Sequence, residues 1–204
     1  MPSAKSPVRA RLDADQRREQ ILQAAAGIIA QRGYYGFGIQ ELARKCGITN
    51  AGLLHYFGTK ERLLIAMLED RDRRDAIAVH SIAGLTEQRD AHIGLSLAQV
   101  LKVLRAIVQR NSTQPEFVRL YAVLRAEALN QTHPARQFFV DREAGTLDAF
   151  ARMVAPHVPS PRASARQLKA LMNGLEDQWL RADCGFNLVT EWDRGVALLL
   201  PRPT

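Results

Sequence analysis

An all-α fold in two parts is what this sequence predicts, on three observations. Apolar residues recur every three or four positions along most of the chain. No segment alternates apolar and polar residues in the manner of a half-buried strand. Helix-terminating residues (Gly33, Gly47, Gly58, Pro156, Pro159 and Pro161) punctuate the periodic stretches.

Taken in order, residues 1–12 hold Pro2, Ser3, Ser6 and Pro7 with Lys5, Arg9 and Arg11, and read as a flexible basic arm. Asp13 or Asp15 caps a first helix carrying Ile21, Leu22, Ala25, Ile28 and Ile29, which Gly33 stops. A short helix from Ile39 to Lys45 ends at Gly47. A second runs from Thr49 to about Tyr56. Thr59 then caps a long helix reaching about Ile82. Further helices are expected over Leu95–Val108, Phe117–Leu129 and 135–155. Three prolines break the chain before a helix marked by Leu168, Leu171, Met172, Leu175 and Trp179, and Val189–Leu200 is the last.

Of the 204 residues, 47% are hydrophobic and 24% charged, a balance that excludes global disorder and low-complexity material. The net charge is +7, and it is unevenly spread. Residues 1–60 hold nine Lys/Arg against four Asp/Glu, a net +5; residues 61–204 hold 19 against 17, a net +2. A clustered excess of that size points to a polyanionic partner at the N-terminal end. Cys46 and Cys184 stand far apart in no CxxC spacing, which argues against a disulfide scaffold and fits a reducing compartment. No run approaches the roughly 20 apolar residues of a membrane helix, and the N-terminal residues lack an apolar h-region, so no secretory signal and a cytoplasmic protein are expected.

The segment 39–57 carries the most information. A helix-turn-helix needs a small residue where its helices cross. Four residues later it needs a glycine in the turn, and six beyond that an apolar residue that seals the second helix on the first. Ala43, Gly47 and Leu53 meet that spacing, with Leu42 and Ile48 beside them. Alone, this is equally a plain helical hairpin with a glycine turn.

The surrounding residues sharpen it. Gln20-Ile21-Leu22, Ala24-Ala25, Gly33-Tyr34, Leu42-Ala43, Gly47-Ile48-Thr49, Leu53 and above all Tyr56-Phe57-x-Thr59-Lys60-Glu61-x-Leu63 resemble the tetracycline-repressor family of transcriptional regulators, over about a quarter of the chain. The resemblance implies a homodimer in which residues 1–58 form the basic arm and helix-turn-helix DNA-binding domain. Residues 59–204 would form a helical ligand-binding and dimerisation domain. It also implies that a small-molecule effector releases a palindromic operator. Thr49 matches the position that caps the recognition helix and touches phosphate. Asn50, Ala51 and Gly52 match positions that face bases, and an asparagine there can pair with adenine. His55 and Tyr56 match backbone contacts, Lys60 matches the basic residue opening the long helix, and Arg44 and Lys45 close the preceding helix within reach of phosphate. Phe57 is read as core. Two positions depart from the family: Gly38 lacks the usual Ser or Thr hydroxyl, and Leu54 stands where Tyr is frequent.

The remainder resembles the family less. Gly174-Leu175-x-x-Gln178-Trp179-Leu180 is similar to a late helix of the subgroup that includes the choline-responsive repressor of betaine synthesis. The resemblance implies dimer pairing through helices near 135–155 and 163–182. Pocket candidates are Tyr121, Arg125, Glu127, Phe139, Asn173, Glu176 and Trp179, with Trp179 weighted toward core or interface. A cationic ligand would use Trp179, Tyr121 and Glu176; an anionic one would use Arg125. Asp70, Asp72 and Asp75 alternate with Arg71, Arg73 and Arg74 and read as a solvated, salt-bridged face, not a metal site. No metal-ligand spacing, phosphate loop or cofactor motif is expected. The alternative to a regulator is an all-α ligand carrier or enzyme whose N-terminal hairpin is structural. An activator or DNA organiser of the same fold stays open too.

Overall fold

The computed structural model describes residues 13–83 and 94–200. The basic arm with Arg9 and Arg11 lies outside the described residues. Among those described there is no strand, and the helices are α1 (Ala14–Arg32), α2 (Ile39–Cys46), α3 (Asn50–Phe57), α4 (Lys60–Ala83), α5 (Leu97–Ser112), α6 (Pro115–Glu127), α7 (Arg136–Val154), α8 (Pro161–Arg181) and α9 (Leu188–Leu199).

Local chemistry sets the helix ends. Asp13 accepts the Gln16 N–H, and the Gln16 side chain reaches back to the Asp13 N–H, closing a capping box at α1. Gly47 ends α2 in the left-handed conformation at φ 66°, where a Cβ is costly. Pro161, expected as part of a break, opens α8, because the first helical position has no use for a backbone N–H.

Two cores form. The first joins α1, α2 and α3 to the first half of α4 through Ile21, Ile29, Leu42, Leu53, Leu63 and Leu64, all fully buried. Leu120 and Leu124 of α6 belong to this same core. The DNA-reading unit expected over residues 1–58 therefore packs apolar side chains from beyond that boundary. The second core gathers α5, α7, α8 and α9 around Leu104, Phe150, Leu168, Trp179 and Trp192.

The Asp/Arg ladder of α4 differs from expectation in one respect. It is ion-paired: Asp70 with Arg73 and Arg74, Asp72 with Arg142, and Asp75 with Arg71 and Arg110. It is not a solvated face, since Asp70 and Arg71 are buried. Helices α5, α6 and α7 cover that side of α4 and supply cross-helix partners, which periodicity in one helix does not reveal.

Candidate nucleic-acid interface and effector cavity

The α2–turn–α3 unit is built as its spacing predicts. The Gly47 and Ile48 N–H groups close the turn on the Arg44 and Ala43 carbonyls at 3.1 and 3.0 Å. Leu53 seals α3 on the core with no exposure. Thr49 caps α3, its hydroxyl accepting the Gly52 N–H at 3.0 Å. Arg17 of α1 donates to the Cys46 carbonyl at 3.1 Å, and Arg32 pairs with Glu41 at 2.9 Å, so α2 is tied to α1 at both ends. Asn50, Ala51, His55 and Tyr56 are exposed on α3, as are Arg44 and Lys45 on α2; Gly52 is half-buried. Leu54, which departs from the family pattern, is exposed on the same helix. Gly38 begins α2 with no side-chain cap.

Lys60 is not a free surface lysine. Its Nζ sits over the Tyr34 ring at 4.3 Å and the Phe37 ring at 5.2 Å, and burial there lowers its pKa. The Tyr34 hydroxyl donates to Glu61 at 2.8 Å. Burial, with Glu61 adding to it, pushes the phenol well above its ordinary value. Glu61 in turn is held low by its own N–H and then by Tyr34. The ammonium is thus placed by aromatic faces at the N-terminus of α4, where a phosphate would also meet the helix dipole.

The other site is a cavity of about 950 Å³ walled by α4, α5, α6, α7 and α8. Five of the pocket candidates, Tyr121, Arg125, Phe139, Asn173 and Glu176, line it. Two candidates fall elsewhere. Trp179 is buried in the second core at 5% exposure and does not line this cavity, the bulky indole being taken up by the packing of α8 with its neighbours. Glu127 points at the first domain: its Oε2 accepts the Tyr34 N–H at 2.9 Å and lies 3.5 Å from His133 Nε2. Helix α6 therefore carries cavity residues at Tyr121 and Arg125 and a link to the DNA-reading unit at its last residue.

The cavity lining is rich in ionic groups. Tyr121 donates to Asp72 at 2.8 Å, and Arg142 grips the same carboxylate at 2.9 Å while covering the Tyr121 ring at 4.7 Å. Burial and Asp72 push the Tyr121 phenol well up. Arg71 pairs with Asp75 at 2.8 Å and lies over Phe117 at 4.0 Å. Asn111 donates to Glu176 at 2.6 Å, and burial raises that carboxyl above its usual range. Sequence reasoning missed Arg71, Asp72, Asn111, Arg142 and Lys169. One signal was legible: Lys169, Asn173 and Glu176 fall at helical spacing on one face, within an apolar stretch.

Comparison with known proteins fits this architecture. The family model described as "Bacterial regulatory proteins, tetR family" matches residues 21–67, which run from within α1 through α2 and α3 into the start of α4. The regulator BetI of Stenotrophomonas maltophilia is 29% identical over 174 residues, covering 81% of this chain and 80% of BetI. Residues 21–67 thus carry the tetR-family pattern, and the relatives extend the likeness over most of the chain. The transcriptional repressor NicS of Pseudomonas putida is 31% identical over 141 residues, 67% of this chain and 59% of NicS. The crystal structure of SCO4454, a TetR-family regulator from Streptomyces coelicolor, superposes with a TM-score of 0.65 over 90% of this chain and 93% of that one, at 22% identity, a likeness of fold. The chain is a regulator of transcription and not an enzyme. Among its described residues no helix is long and apolar enough to cross a membrane.

Proposed function

We propose that this tetR-family protein is a ligand-responsive repressor. Two copies hold a palindromic operator, each with α3 in the major groove, and a small molecule in the cavity releases it. The observation carrying this reading is the continuity of α6. One helix lines the cavity through Tyr121 and Arg125, buries Leu120 and Leu124 in the first core, and ends on the Tyr34 backbone through Glu127. A ligand that favours another placement of α6 also shifts the unit that carries α3, and a differential affinity of a few kcal/mol suffices. The long α4 adds a second link, since Arg74 bridges to Glu19 of α1 at 2.6 Å.

In this reading Asn50, Ala51 and Gly52 face base edges. Thr49, His55, Tyr56, Lys60, Arg44 and Lys45 meet phosphates. Recognition helices of the two copies enter successive major grooves roughly 34–36 Å apart. Dimer pairing uses α7 and α8. The exposed Ala163 and Ala170 and half-buried Gly174 on α8 support it by letting a second helix approach closely. The protein works in the cytoplasm with no membrane partner.

The test is selection of bound sites from random duplex DNA, followed by gel-shift titration over a salt series. Two-fold symmetric sites and a steep salt dependence are expected. Lys60→Ala with Tyr56→Ala should weaken binding and flatten the slope by about one unit for each phosphate no longer neutralised. Unchanged binding by the double variant would refute the site assignment, and a flat salt response would favour a ligand carrier instead.

A further inference from the structure

The ionic groups of the cavity do not leave all ligand charges equally welcome. Two of the four aromatic side chains in the lining already carry a guanidinium. Arg142 lies over Tyr121 and Arg71 over Phe117. Three of the four lining carboxylates are also engaged, Asp72 with Arg142, Asp75 with Arg71 and Arg110, and Glu176 with Asn111, while the fourth, Glu143, is solvent-exposed. The lining holds six Lys/Arg against four Asp/Glu, so its formal balance is positive.

One cation stands apart. Lys169 lines the cavity at only 8% exposure. Among the described residues its hydrogen bond goes to Asn173 Oδ1 at 3.2 Å, and no carboxylate there comes within ion-pair distance. The charged groups that act on it are Arg142 and Glu143 from α7, Arg125 from α6, and Glu176 two turns along its own helix. A buried ammonium with one neutral acceptor has two donor positions unfilled and strong reason to recruit an anion. The same cavity has an apolar part to its lining, with Val103, Ile107, Phe150, Met153 and Met172.

We propose that the effector is an organic carboxylate with an apolar body, its carboxylate ion-paired to Lys169 Nζ and its body against the Phe150–Met153–Met172 wall. This rests on the reading of the cavity as the effector site and deepens it by naming the ligand class. It also sets this chain apart from a regulator answering a quaternary ammonium, since Arg142 and Arg71 already occupy the faces of Tyr121 and Phe117 and the lining is net positive. Burial, followed by the repulsion from Arg142, holds the Lys169 pKa down to about 8, so the ammonium is still mostly charged at neutral pH.

The experiment uses matched ligands that differ only in their head group. Decanoate, decan-1-ol and decyltrimethylammonium form one set; 4-phenylbutyrate, 4-phenylbutan-1-ol and 4-phenylbutyltrimethylammonium form the other. Binding to the full-length protein is measured by calorimetry below micelle-forming concentrations. At pH 7 at least one carboxylate should bind about tenfold or more tightly than its alcohol, and the ammonium most weakly. Lys169→Met should reduce that preference to about twofold or less while alcohol binding persists, and Lys169→Arg should keep it. Retained binding of the alcohol doubles as proof that the Met variant is folded. Between pH 7 and 9 the carboxylate affinity of the wild type should fall about tenfold, with the alcohol unchanged.

An alcohol or ammonium that binds as well as its carboxylate, a preference that survives Lys169→Met, or no binding by any member would overturn the proposal. The same ligands added to the operator complex separate the two readings. A Lys169-dependent carboxylate that binds but leaves the operator held sinks the release mechanism and leaves the ligand class standing. Release by an ammonium ligand does the reverse.

Discussion

Gly33→Ala is the sharpest probe of the connection between the two halves. Gly33 ends α1 with φ 69° and ψ 177°, a conformation essentially restricted to glycine. A Cβ built there would lie 2.0 Å from Glu127 Oε1. The backbone strain is about 1–3 kcal/mol. The contact adds a second cost, because the Glu127 carboxylate must swing away and leave the Tyr34 N–H at 2.9 Å without its acceptor. Losing that charge-assisted bond from a part-buried site costs about 1–3 kcal/mol more. The combined loss is about 4 kcal/mol, a large share of the roughly 5–15 kcal/mol typical of a folded domain. Urea unfolding of wild type, Gly33→Ala, Glu127→Ala and the double variant separates the two contributions. In the Glu127→Ala background the glycine substitution should cost only the strain, about 2 kcal/mol, giving a coupling of about 2 kcal/mol between the sites. A Gly33→Ala protein within about 0.5 kcal/mol of wild type, or additive costs across the cycle, would refute the reasoning.

Other outcomes follow from the same structure. Gly38 sits at φ −119° with open space around a built Cβ and no side-chain cap on α2, so Gly38→Ser should stabilise by about 0.5–1 kcal/mol, read as a higher Tm, and place a hydroxyl beside the proposed DNA face. Lys169 titrates near 8 when folded against 10.5 in the open chain, so the unfolded state binds more protons between those values. Its destabilising effect is fully present below pH 8 and is relieved as pH rises through that window; the stability gap between Lys169→Met and wild type should shrink by about 3 kcal/mol between about pH 7.5 and 10.5 in paired urea melts. Cys46 is buried, and desolvation raises its pKa, whereas Cys184 is half-exposed, so a thiol reagent should label Cys184 in the native protein and Cys46 only on unfolding. Equal native labelling rates for the two would contradict that placement.

The DNA-reading unit was the legible part. Its devices are local: Ala43, Gly47 and Leu53 act over ten residues, Thr49 caps a helix three residues away, and Asp13 does the same for α1. Such interactions are written in spacing. The cavity was legible only in part, because helical periodicity assigns residues to a face without saying which helix covers that face. Tyr121, Arg125, Asn173 and Glu176 stand out as polar residues within apolar stripes, and the structure lines one cavity with all four. Trp179 stands out equally and lies in the second core.

By itself the sequence determined the all-α class, the helix ends and the helix-turn-helix, since backbone propensity, caps and the left-handed glycine at 47 operate within a few residues. Only tertiary structure decided which charges meet. Asp72 finds Arg142 across 70 positions, and Glu127 finds the Tyr34 backbone across 93. Among the described residues, Lys169 is left in the cavity wall with a single neutral acceptor. Ion pairs and desolvation depend on which helices close over one another in three dimensions, and that arrangement is set by the two apolar cores as wholes rather than by any local stretch.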